Sequence, residues 1–142
     1  PAPAPPPPRP TAVYAMNMTA EDGPNLVLTR VTVEDKVTKL DITMTNRARG
    51  EISMAVSEAG SDHAMFLQLA DGKKIKFQSA TGIEVNPVRT KLKPNASVSF
   101  TLVFDALDTG VRTFDVFEGE DAKDAVLKKK KNLWVWRNVQ LR

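Results

Sequence analysis

Ser97-Val98-Ser99-Phe100-Thr101-Leu102-Val103-Phe104 alternates without a break, with Val98, Phe100, Leu102 and Phe104 on one parity and Ser97, Ser99, Thr101 and Val103 on the other. A period of two sends successive side chains to opposite faces of a strand, so this segment offers one face to a core and one to water. The pattern recurs on both sides. Toward the N-terminus residues 26–33 alternate, Leu40, Ile42 and Met44 share a face within 37–45, and Ile52, Met54 and Val56 follow a loop at 46–50. Residues 65–69 and 73–79 flank Asp71-Gly72, a pair that tolerates positive φ, which predicts a hairpin with Ile75 and Phe77 inward and Lys74 and Lys76 in water. Residues 83–88, interrupted by Pro87, predict an edge strand, and KLKPN at 91–95 a turn. Toward the C-terminus, Phe114 and Val116 follow a turn at Asp108-Thr109-Gly110, and 133–141 closes the series. About seven to nine short strands with turn signals between them predict an all-β fold, an antiparallel β-sandwich of the immunoglobulin-like type. The one helical candidate is EDAKDAVLKKK at 120–130, acidic at its start and basic at its end, as the helix dipole favours.

A chain of 142 residues, 42% hydrophobic and 26% charged, is of single-domain length and can bury one two-layer core. Seven of its ten prolines lie in the opening tract PAPAPPPPRP. Such a tract adopts polyproline II, stiff and without internal hydrogen bonds. The chain therefore divides into a proline-rich arm, residues 1–24, ending at the turn Glu21-Asp22-Gly23-Pro24, and a β-sandwich domain, residues 25–142. TAVYAMNM at 11–18 reads either as an edge strand or as a continuation of the arm. The arm is either a spacer or a docking segment that lies on a neighbouring copy, with Pro5, Pro6, Pro7, Pro8 and Tyr14 as its candidate contact residues.

The absence of cysteine excludes disulfides and thiolate metal sites, and a net charge of +3 does not by itself point to nucleic acid. No stretch approaches the ~20 apolar residues that cross a bilayer. The opening on proline has no basic and apolar run of the signal-peptide kind; an abrupt start inside a Pro/Ala tract has the look of a mature or trimmed end, with a leader or anchor expected upstream.

LDITMTN (40–46), FLQLADGKKIKF (66–77), KLKPNASVSFTLVFDAL (91–107) and WVWRNVQL (134–141) succeed one another along the chain. This order resembles the small immunoglobulin-like domains of uncharacterised function found in bacterial lipoproteins and exported envelope proteins. In those domains an early strand ends in Asn, an Asp-Gly hairpin follows, and a Pro-containing turn leads into a strand closing near "vFd". The resemblance spans roughly residues 26–141. It implies an extracytoplasmic, non-enzymatic domain and carries no functional residues with it; residues 128–131 have no counterpart in the pattern.

Catalytic signatures are missing. The single histidine, His63, stands just before a predicted strand, no G-x-S-x-G elbow is present, and the seven glycines are scattered singly rather than grouped into a phosphate-binding loop. No cofactor motif and no metal-ligand spacing is found. Asp115, Glu118, Glu120, Asp121 and Asp124 cluster, yet they depart from the EF-hand pattern and read as a solvated acidic loop. The expectation is therefore a protein that is not an enzyme.

The most informative segment is Lys128, Lys129, Lys130 and Lys131 followed by Leu133-Trp134-Val135-Trp136-Arg137. If Leu133, Val135, Val139 and Leu141 face the core, Trp134 and Trp136 point outward beside five cations, a surface suited to anionic lipid, single-stranded nucleic acid or a protein partner. The reverse arrangement puts the indoles in the core, or under the proline arm. Three functions follow. The first is a non-catalytic, exported interaction or structural domain of the cell envelope. The second is a subunit that self-assembles through its arm into a filament or oligomer. The third is a polyanion binder, with a peripheral membrane contact more in keeping with the charge than nucleic acid.

Overall fold

The computed structural model describes residues 7–21, 23–61, 63–85, 88–119 and 134–142. Its strands are β1 (Ala12–Ala20), β2 (Gly23–Val33), β3 (Val37–Thr45), β4 (Ile52–Met54), β5 (Met65–Gln68), β6 (Lys74–Thr81), β7 (Thr90–Leu92), β8 (Ser97–Asp105), β9 (Thr113–Glu118) and β10 (Val135–Gln140). Eight of them form one sheet in the order β1-β2-β3-β8-β6-β5-β9-β10, and β4 pairs with β7 apart from it. The pairings are antiparallel, and β1–β2, β2–β3 and β5–β6 are joined by short turns, which only antiparallel neighbours allow.

β3 and β8 form the regular centre, in unbroken register from Val37 opposite Asp105 to Thr45 opposite Ser97. Leu40, Ile42, Phe100 and Leu102 face inward and are buried, as the alternation predicts. On the other face Thr43 and Ser99 share a hydrogen bond of 2.9 Å, and Thr45 and Ser97 one of 2.8 Å. Cross-strand hydroxyl pairs of this kind stabilise the sheet without drawing its outer face into the core.

β6 belongs to two halves of the sheet. Its first residues pair with β5, Lys74 opposite Gln68 and Lys76 opposite Phe66, while Phe77 and residues 79–81 pair with β8. The register slips between Phe77 and Ser79. Such a bulge bends a strand and raises its twist, and here it lets the sheet fold on itself. Leu28 and Val31 of β2, Phe77 of β6, Leu67 of β5, Val116 of β9 and Trp136 and Val139 of β10 then meet in one buried cluster. The sheet comes close to closing: Glu21 N–H, just past β1, donates to the Val135 carbonyl of β10 at 2.9 Å.

Two local expectations are revised. Thr90–Leu92, which overlaps the start of KLKPN, forms strand β7, with Leu92 buried, and the turn narrows to its end, where Asn95 adopts φ 64°. Residues 83–85 form no strand beyond a single bridge from Val85 to Val56, because Gly82, at φ 87°, turns the chain out of β6. The helical candidate at 120–130 lies outside the described residues. β1 falls within the stretch grouped with the arm on composition, where the strand alternative of 11–18 is the one realised.

Candidate interaction site along the arm and the sheet seam

The arm meets the body at Arg9. Its backbone N–H donates to Asp35 Oδ1 at 2.9 Å in the β2–β3 turn, and its guanidinium donates to the carbonyls of Leu107 at 2.7 Å and Asp108 at 3.0 Å after β8. Pro7, Pro8 and Pro10 around it are exposed. Proline supplies no N–H, so among residues 7–10 only one residue can donate hydrogen bonds to the domain. Here that residue is the arginine, which composition alone did not single out; the signal available was one cation inside an otherwise uncharged tract.

Beyond Arg9 the chain enters β1, with Tyr14 half-buried on the core side and Val13 exposed at 59% on the other. β1 faces β10 across the seam of the sheet. The seam is fastened at one end by Glu21 N–H to Val135 O, by the Arg137 Nε–Glu21 Oε1 ion pair at 2.9 Å, and by Trp136 Nε1–H to the Met18 carbonyl at 2.9 Å. Both edge strands carry irregularities in their ladders, β1 a register shift against β2 between Ala15 and Met18, β10 one against β9 between Trp136 and Val139.

The placement of the tryptophans corrects the outward expectation. Trp136 is only 1% exposed and lies in the main core, and Trp134 is half-buried with its ring 5.6 Å from that of Phe100. Val135 points the other way, into a separate outer cluster with Phe66 and Phe117. Unbroken alternation fails at Arg137 and Asn138, which both stand opposite Asp115; Asn138 adopts φ 58° and its N–H donates to Asp115 Oδ1 at 2.8 Å. The extra residue moves Val139 and Leu141 onto the face of Trp136. Arg137 itself is exposed, lies 5.2 Å from the Phe117 ring centroid and pairs with Glu21.

Of the candidate contact residues, Tyr14, Trp136, Trp134 and Arg137 are thus strung along the seam, while Pro7 and Pro8 lie beyond the Arg9 anchor. Pro5, Pro6 and Lys128 to Lys131 lie outside the described residues.

No family model, no curated protein and no solved structure matches this chain.

The acidic residues of β9 take structural partners in β10. Asp115 receives Asn138 N–H, and Glu118 Oε1 receives Trp134 N–H at 3.3 Å. Burial raises the Glu118 carboxyl from 4.5 to about 7, with the Trp134 N–H opposing the rise. His63 is exposed, and among the described residues no group of three or more His, Asp or Glu side chains is placed to hold a metal ion. No helix among them is long and apolar enough to cross a membrane.

Proposed function

We propose that this chain is a non-catalytic, immunoglobulin-like module of the cell envelope whose role is to hold and orient its N-terminal arm. The carrying observation is the Arg9 anchor, which fixes the exit of a stiff proline tract to one end of the sheet through three hydrogen bonds. A proline-rich arm pinned at its base is suited by its composition to act as a spacer. The immunoglobulin-like assignment is supported by β6, which serves both halves of the sheet, and the extracytoplasmic location by the resemblance drawn from the sequence.

A second reading, assembly with further copies, is favoured by one observation: residues 11–20 carry no charge, and they form an edge strand with Val13 exposed. Charges are the usual guard on such an edge. Polyanion binding has less support, since Trp136 is a core residue and offers no outward indole.

The test is sedimentation velocity on the full chain and on a variant lacking residues 1–8, which spares Arg9 and β1. The spacer role predicts that both are folded monomers at every concentration. A concentration-dependent oligomer that disappears on truncation would replace it with assembly through the arm.

A further inference from the structure

Beside the start of β1, between it, the loop after β8 and Leu141 just past β10, lies a cleft of about 160 Å³. Its floor is Val33, Leu107 and Leu141, which are 6%, 3% and 5% exposed, and Tyr14, Arg9 and Arg112 complete its lining.

The polar groups around this apolar floor share one character. Arg9 spends two guanidinium donors on the Leu107 and Asp108 carbonyls, and a guanidinium has five, so three remain on a group already held in place. Among the described residues neither the Arg112 guanidinium nor the Tyr14 hydroxyl has a hydrogen-bond or ion-pair partner. No carboxylate side chain lines the cleft. The two beside the Arg9 anchor are engaged elsewhere, Asp35 by the Arg9 backbone N–H and Asp108 by Lys73 Nζ at 2.8 Å.

We propose that the cleft is a binding site for a small apolar monocarboxylate of single-ring size. The ring rests on Val33, Leu107 and Leu141, and the carboxylate lies at the rim between Arg9 and Arg112, within reach of the Tyr14 hydroxyl. Size and charge both lead to this class. An apolar cavity of roughly 150 Å³ accommodates one benzene ring. Two guanidiniums with spare donors and no facing carboxylate favour an anion, through charge-assisted hydrogen bonds worth about twice a neutral one. This site goes beyond the spacer role but shares the Arg9 anchor with it; monomeric behaviour tests the spacer, and benzoate binding tests the cleft, so the two can fail separately.

The experiment is a titration of the ¹⁵N-labelled full chain, followed by amide shifts, with benzoate, with neutral benzamide, and with acetate, which has the charge but no ring. Saturable benzoate shifts are expected at Tyr14, Val111 and Leu141, with benzamide and acetate each weaker by about tenfold or more, the worth of one charge-assisted hydrogen bond or of a buried ring. Arg112→Gln, on an exposed side chain, should lower benzoate affinity about tenfold while leaving the amide spectrum outside the cleft unchanged. Arg9→Gln should do the same and also shift Asp35. The proposal is overturned if benzoate gives no saturable shifts at those amides, if benzamide or acetate matches benzoate, or if Arg112→Gln binds benzoate as tightly as the parent.

Discussion

Trp136 fills the core with its ring and closes the seam with its ring N–H, so one side chain joins the first strand of the sheet to the last. Trp136→Phe keeps most of the apolar contact but leaves the Met18 carbonyl without its donor. A loss of about 1–3 kcal/mol is expected from that unpaired group and the smaller ring, read by urea denaturation. Asn46 has a comparable role: it is 1% exposed, its Nδ2 donates to the carbonyls of Gly50 and Leu92, and its Oδ1 accepts Ala48 N–H. The Asn that carries part of the family resemblance is here a buried clamp between two loops. Glu118 makes stability depend on pH. Its folded carboxyl titrates at about 7 against 4.5 for a free glutamate, so between these limits the native state keeps a proton that the unfolded chain has released. Stability must therefore fall as pH rises across that window, by up to about 3 kcal/mol, and level off above it. Glu118→Gln, whose amide oxygen still accepts Trp134 N–H, should flatten the dependence and be the more stable protein at pH 8, as judged by thermal melts from pH 4.5 to 8.

Single glycines and bulges decide how strands leave their neighbours. Gly82 has φ +87°, and a Cβ there would meet the Ser99 carbonyl oxygen at 2.9 Å and Phe100 Cα at 3.2 Å. Both obstacles are backbone, so Gly82→Ala should cost about 1–3 kcal/mol and appear as a lower melting temperature. The long strands were legible from sequence because their inward parity is apolar and their outward parity polar; β3 and β8 are the clear cases, and the Asp71-Gly72 hairpin adds turn chemistry to the pattern. The C-terminal strand misled for a local reason. Leu133, Val135, Val139 and Leu141 form an apolar series only if Arg137, on the same parity, is overlooked, and that cation marks the break in alternation. β7 was hidden by its length, Thr90–Leu92 being too short to display a period. The seam itself left no mark in the sequence. It depends on which strands become the sheet edges, and pairing order is a property of the whole chain.

At the scale of the molecule, a sheet that nearly closes has one weak line. β1 is tied to the body by its ladder with β2, by the contacts near Glu21 and Trp136, and by Arg9 at its start. Arg9→Ala should leave the melting temperature within a few degrees of the parent, because it leaves the core untouched and releases one exposed carbonyl and one partly buried one. It should nonetheless speed amide exchange selectively in β1 while β3 and β8 keep their protection, as local opening predicts. Equal acceleration in β3 and β8 would mean that the anchor supports the whole fold rather than its edge.

The cleft also fixes where the ends of the body emerge, for Arg9, Pro10 and Leu141 line it together. A load applied between the arm and the C-terminal strand would enter and leave the domain at the same end. It would reach β1 first at Ala12, whose partner is Val33, and break the β1–β2 ladder one rung at a time instead of shearing all rungs at once. As a mechanical element the domain is thus a zipper that yields gradually from the arm end, with Arg9 as the catch that must release before the first tooth opens.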